Sequence, residues 1–221
     1  MDAVNATYSD VYSTYQQTKE QLSQLEEMMG ELDLASFRLL EGEGLIHMVP
    51  GKWWRDGKDQ GPEGLLYLTD QRLVFEQKEE VATRKVLFIT TEKELVRGTL
   101  FEVPIGLVES VKATSQGLFG NEDHLEMSFG TGADYASAHF HLKGQDSEEW
   151  ARLVNRTVNG QIQSERYYAP GETPAAVSAA LEDSLKAAPQ QCTSCGAPFS
   201  APIAAGQRQA QCEYCGTTMR W

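Results

Sequence analysis

Apolar and polar positions change period along the chain, dividing it into a helical start, a strand-rich middle and a short end carrying all the cysteines. From Asp10, a candidate N-cap, Val11, Tyr15, Thr18, Leu22, Leu25, Met29 and Leu32 recur at alternating spacings of four and three. That pattern places them on one helix face, with Gln16, Gln17, Lys19, Glu20, Gln24, Glu26 and Glu27 on the solvated remainder. Residues 1–9 carry no periodic signal and are expected to fray. A seam of this kind needs a partner, and two remain open: the chain's own sheet, or another helix met through Leu22, Leu25 and Met29, including that of a second copy. Gly30 is expected to weaken the helix near its end.

Beyond Glu41-Gly42-Glu43-Gly44, a turn, the period becomes two. Residues 45–49 predict a strand stopped by Pro50-Gly51. Residues 64–75 form two apolar arms around Thr69-Asp70-Gln71, a tight hairpin in which Leu66 and Leu68 face Leu73 and Phe75. Gln77-Lys78-Glu79-Glu80 predicts an exposed turn. Strands are expected at 86–89 and 95–103 around a charged turn at Thr91-Glu92-Lys93-Glu94, and the chain restarts at Pro104 and continues through Val111. A loop surrounds Leu118-Phe119. Leu125, Met127 and Phe129, then Ala136, Ala138, Phe140 and Leu142, face inward, leaving His139 and His141 outward. Asp146-Ser147-Glu148-Glu149-Trp150 opens a helix with a cap and acids in its first turn, and Trp150, Leu153, Val154 and Val158 supply its apolar stripe. Short strands closed by one helix predict an α+β fold, a half-open antiparallel barrel plugged by that helix.

Four stretches resemble the GRAM branch of the pleckstrin-homology-like folds: Glu43-Gly44-Leu45, the 64–75 hairpin, Val103-Pro104-Ile105-Gly106-Leu107-Val108-Glu109-Ser110-Val111, and the His139–Leu142 strand before the helix. The resemblance covers about residues 41–160, and the stretch 78–98 is longer than that family's pattern. It implies that the loop after the first strand is where phosphoinositides are held, when they are held at all.

With 221 residues, 41% apolar and 23% charged, the chain can bury a sizeable core. No run of 18 apolar residues and no basic-then-apolar start occurs, so the expected location is cytoplasmic, with peripheral membrane association as the alternative. The net charge of −13 is concentrated in residues 41–165, where twenty-one acids meet thirteen bases. Such a surface repels phosphate backbones and disfavours nucleic acid as a partner. Residues 167–191 form a Pro- and Ala-containing connector with a short helix at 175–188. The expected organisation is therefore a helix (1–40), a GRAM-like domain (41–165), a linker (166–190) and a small C-terminal module (191–221).

That module carries the sharpest chemical signal. Cys192-Thr193-Ser194-Cys195-Gly196 and Cys212-Glu213-Tyr214-Cys215-Gly216 are two C-x-x-C-G knuckles separated by a spacing that matches structural zinc sites. Two residues between the thiols, then glycine, turn both sulfurs of a pair toward one ion, and four thiolates close the tetrahedron with no position left for water. One structural Zn2+ is expected, and the module resembles the zinc ribbons that end many microbial multidomain proteins. A redox dithiol, an iron–sulfur cluster and disulfides are the competing readings. Arg208 and Arg220 against Glu213 offer little to nucleic acid, which favours a protein-facing or purely structural ribbon.

Two weaker constellations remain. Lys52, Trp53, Trp54, Arg55 and Lys58 form a basic, aromatic interruption of an acidic domain and are the candidate contacts for a protein partner or a membrane phospholipid. His139 and His141 share a strand face and could ligate a metal, although an exposed polar face is the simpler reading, and His47 and His124 say less. No nucleophile elbow, phosphate-cradling loop or H-E-x-x-H motif is present in the sequence. The expected function is that of a non-enzymatic adaptor. Phospholipid recruitment is the first alternative, and redox or metal-dependent catalysis the second.

Overall fold

The computed structural model describes residues 2–221 apart from 87–88, 118–120, 167, 169–170, 172, 201–202 and 204–205. The expectations placed on Leu87, Phe88, Leu118, Phe119, Tyr167 and Pro170 lie outside the described residues. The chain divides into two units, Met1–Ala35 and Ser36–Trp221.

In the first unit, helix α1 spans Asp2–Asp33. It starts earlier than the heptad pattern implies, because helix propagation requires only tolerable propensities and not an apolar seam. It also continues through Gly30, whose cost of about 1 kcal/mol is too small to end a long helix. Val11, Tyr15, Leu22, Leu25 and Met29 are all more than half exposed.

The second unit is built on a seven-stranded antiparallel sheet. Its strands are β1 (Leu45–Trp53), β2 (Glu63–Thr69), β3 (Arg72–Val86), β4 (Ile89–Pro104), β5 (Val108–Gln116), β6 (Glu122–Phe129) and β7 (Ser137–Leu142), in the order β4-β3-β2-β1-β7-β6-β5. Strand β1 joins the two halves, pairing with β2 on one side and β7 on the other. The β2–β3 hairpin has the expected register, Leu66 opposite Phe75 and Leu68 opposite Leu73, and all four side chains are fully buried. Helix α2 (Ser147–Val158) is capped by the Asp146 carboxylate, which accepts from the Glu148 and Glu149 N–H groups at 2.7 and 3.3 Å. It buries Trp150, Ala151 and Val154 in the same core as Leu125, Phe140 and Leu142. Val158, expected on that stripe, is 37% exposed at the helix end. Helix α3 (Pro174–Ala187) follows, and strands β8 (Gln209–Gln211) and β9 (Thr218–Arg220) form a separate small ribbon.

Three turn expectations fail for one reason: a backbone whose bonds are satisfied by a neighbour can stay extended against local preference. Pro50 and Gly51 do not stop β1, and the Pro50 carbonyl accepts from the Lys143 N–H at 2.8 Å. Gln77-Lys78-Glu79-Glu80 is the middle of β3, with Lys78 opposite Arg97 and Glu80 opposite Leu95. The 91–94 segment likewise belongs to β4, opposite β3. From Gln77 to Glu80 no residue is buried, so the alternation that marks a half-buried strand is missing from the sequence.

The residues that carry the sequence resemblance form a buried ionic hub. Arg72, 4% exposed, makes a two-pronged contact with Glu43 at 2.8 and 2.9 Å, reaches Glu102 at 2.8 Å and donates to the Arg38 carbonyl at 2.6 Å. Thr69 donates to Glu43 at 2.6 Å and accepts the Gln71 and Arg72 N–H groups, closing the hairpin turn. The motif is therefore a structural clamp across the 43–44 turn, the hairpin and β4.

Candidate metal centre and docking surface

Each cysteine knuckle is a tight turn locked by the same two backbone bonds. The Gly196 N–H donates to the Cys192 carbonyl and the Gly216 N–H to that of Cys212, both at 2.8 Å. The Cys192 and Cys212 N–H groups reach Ala197 and Thr217 at 2.8 and 2.9 Å. Gly196 and Gly216 sit at φ of 72° and 71°, the left-handed region in which glycine carries no steric penalty. The repeat brings the knuckles face to face, with Cys192 and Cys195 Sγ each 3.6 Å from Cys215 and Cys212 Sγ respectively. All four sulfurs lie within 4.8 Å of one another. A tetrahedron with metal–sulfur bonds of ~2.3 Å has edges of about 3.8 Å, so the free thiols already approximate the ligand cage of one ion. The Thr217 hydroxyl, 3.3 Å away, and the Thr217 N–H favour the thiolate of Cys215, whereas at Cys195 the Ala197 N–H is outweighed by desolvation and the neighbouring thiols, which raise the thiol. Cys192, Cys212 and Met219 are buried beneath this cage, with Phe199 and Trp221 against them.

The ribbon is not an isolated appendage. Gln209 donates to the Asp134 carboxylate, and a cleft of about 310 Å³ between Thr131–Asp134 and Gln207–Cys212 lies along the contact.

In the 52–58 loop the two tryptophans part company. Trp53 is the last residue of β1 and only 3% exposed, with its ring against Phe101 and Tyr135 at 5.5 and 5.2 Å. It is a core residue and cannot anchor a partner, because alternation along β1 turns it inward. Trp54 turns to the opposite face and rests on His124 and His139, both at 4.5 Å. Lys52 pairs with Asp59 at 3.1 Å and Arg55 with Asp56 at 3.2 Å, while Lys58 is exposed. Beside the loop lies a groove of about 540 Å³ lined by Trp54, Arg55, Lys112, Glu126, Tyr135 and His139.

His139 and His141 do share a face, and both are half-buried on it. His124, fully buried, packs against both and against Trp54: its Nδ1 is 3.0 Å from His139 Nε2, and its ring stacks on His141 at 4.7 Å. Burial holds His124 and His139 below the ordinary imidazole value, reinforced at His124 by the neighbouring His141. The sequence gives no hint that His124 belongs here, since the grouping depends on β6 and β7 pairing His124 opposite His141.

No known family model and no curated protein matches this chain. Among solved structures it is similar to the "Vps36 N-terminal PH domain" at 16% identity, covering 57% of this chain and 86% of that one with a TM-score of 0.36. It is also similar to the "N-terminally Truncated Linker-DH/PH Domains of p115-RhoGEF", again at 16% identity, covering 58% of this chain and 31% of that one with a TM-score of 0.32. Both neighbours contain PH domains. The α+β fold itself is established by the strand order and the closing helix. Among the described residues, no helix is long and apolar enough to cross a membrane.

Proposed function

We propose that this chain is a non-enzymatic adaptor in which a GRAM-like domain docks a protein partner, a zinc ribbon serves a second interaction, and α1 assembles copies of the chain. The observation that carries the docking assignment is the self-neutralisation of the 52–58 loop. Lys52 and Arg55 are each paired with an acid of the same loop, which leaves little positive field for the phosphates of an inositol lipid. The adjoining groove presents Arg55 and Lys112 beside Glu126, with Trp54 and Tyr135 between them, a mixed-charge aromatic surface of the kind that protein interfaces concentrate. Four thiolates are the soft donor set that selects zinc, and a closed cage makes its role structural. The ribbon residues Cys192, Cys195, Cys212 and Cys215 would hold the ion and thereby fix the two knuckles and β8–β9 relative to each other.

A photo-crosslinker placed at Lys58 tests the docking surface. In extract of the native host it should trap one discrete protein, and trapping should fall when Lys112 and Arg55 are both reversed to glutamate. Trapping of lipid, or trapping unchanged by the reversal, overturns the assignment.

A further inference from the structure

We infer that Glu122, His124 and His141 form a second metal site, independent of the cysteines, that takes a divalent cation of the zinc class. Glu122 and His124 are two residues apart on β6 and so share its face, and His141 is the residue directly opposite His124 on β7. A carboxylate oxygen and a ring nitrogen from each histidine lie within 4.8 Å of one another. The decisive feature is the His124 ring. It is 0% exposed, and the contact between its Nδ1 and His139 Nε2 at 3.0 Å fixes its orientation. Its Nε2 is thereby aimed at Glu122 Oε2, 3.5 Å away, and makes no hydrogen bond among the described residues.

A buried ring nitrogen facing a carboxylate with no hydrogen bond made is costly unless a positive charge is shared between them. A cation held by the His124 nitrogen, the carboxylate and His141 satisfies all three. His139 then acts as the outer partner that sets the tautomer of a liganding histidine, and Trp54 covers both rings. Two imidazoles and a carboxylate suit Zn2+ and its first-row neighbours better than Ca2+ or Mg2+. Three protein ligands leave one coordination position open, and the Glu122 side chain, 41% exposed, marks the solvent side from which an ion would enter. The site is chemically distinct from the ribbon, which has only sulfur donors.

The test uses the full chain, stripped by chelator and titrated with Zn2+ alone, then with Co2+ as a spectroscopic probe. The wild type should bind two equivalents, and His141→Gln and Glu122→Gln should each bind one. The same substitutions should erase the weak visible bands of nitrogen- and oxygen-liganded Co2+ while leaving the sulfur-to-metal charge-transfer absorption of the cysteine centre. Both residues have solvent contact, and the stripped variants should melt within a degree or two of the stripped wild type. His139→Gln should weaken the second equivalent about 10–100-fold without abolishing it. Equal stoichiometry in the wild type and both variants, or a second equivalent that survives their combination, overturns the site.

Discussion

Trp53 and Trp54 are neighbours of the same type with opposite structural duties, and alternation along β1 assigns them. Trp53 fills the core between Phe75, Phe101, Tyr135 and Phe140, so Trp53→Ala should cost roughly 3–5 kcal/mol and show as a large fall in melting temperature. Arg72→Met strands the Glu43 carboxylate beneath the hairpin and should be destabilising by roughly 3–5 kcal/mol, whereas replacing Arg72 and Glu43 together by apolar residues should recover most of the loss. His47 gives a pH signature. Its ring stacks on Trp150 at 5.4 Å, and burial lowers its proton affinity below the usual value of 6.5, with Glu149 opposing. The folded state therefore binds fewer protons at this site than the unfolded chain. Its contribution is complete above about pH 6.5 and declines as the pH falls below that value toward the depressed folded value. Melting curves between pH 8 and pH 5.5 should show falling stability, and His47→Phe should flatten part of that slope. A slope unchanged by the substitution would contradict the assignment.

At the scale of elements, what the sequence makes legible is what local pattern encodes. Leu66, Leu68, Leu73 and Phe75 announce their hairpin because one face is buried, and Asp146 with Glu148 and Glu149 announces α2 because a capped helix start is a local device. Gln77–Glu80 hides its strand because neither face is buried there. Pro50 looks like a stop because the Lys143 N–H that bonds its carbonyl lies some ninety residues on. The two candidate metal sites divide in the same way. Cys192, Cys195, Cys212 and Cys215 are visible from spacing alone, while the Glu122, His124 and His141 group exists only in the β6–β7 register. Helix α1 supplies the element-scale prediction. Its exposed Leu22, Leu25 and Met29 suit a partner helix from a second copy, so replacing Leu22 and Leu25 together by lysine should lower the mass measured by light scattering. The melting transition of residues 36–221 should stay where it is. A wild-type chain that is monomeric at high concentration would exclude self-association.

At the scale of the molecule, the ribbon and the sheet domain draw on different sources of stability. The sheet domain has a large apolar core of its own, whereas among the described residues the ribbon's buried apolar side chains are the small set Cys192, Ala210, Cys212 and Met219. Its folding should therefore depend on metal, for which structural zinc supplies roughly 10–16 kcal/mol. Chelation should remove a separate ribbon transition in calorimetry, and Cys212→Ser should do the same. The sheet transition should persist with at most a small shift from loss of the Gln209–Asp134 contact. Co-sedimentation with vesicles containing phosphoinositide and phosphatidylserine distinguishes a protein-docking loop from a lipid-binding one. With Lys52 and Arg55 neutralised inside their own loop and a net charge of −13 on the whole chain, the protein should stay in the supernatant at physiological salt. Pelleting with those vesicles, reversed by Lys52→Glu and Arg55→Glu, would make the loop a lipid site and contradict the protein-docking account.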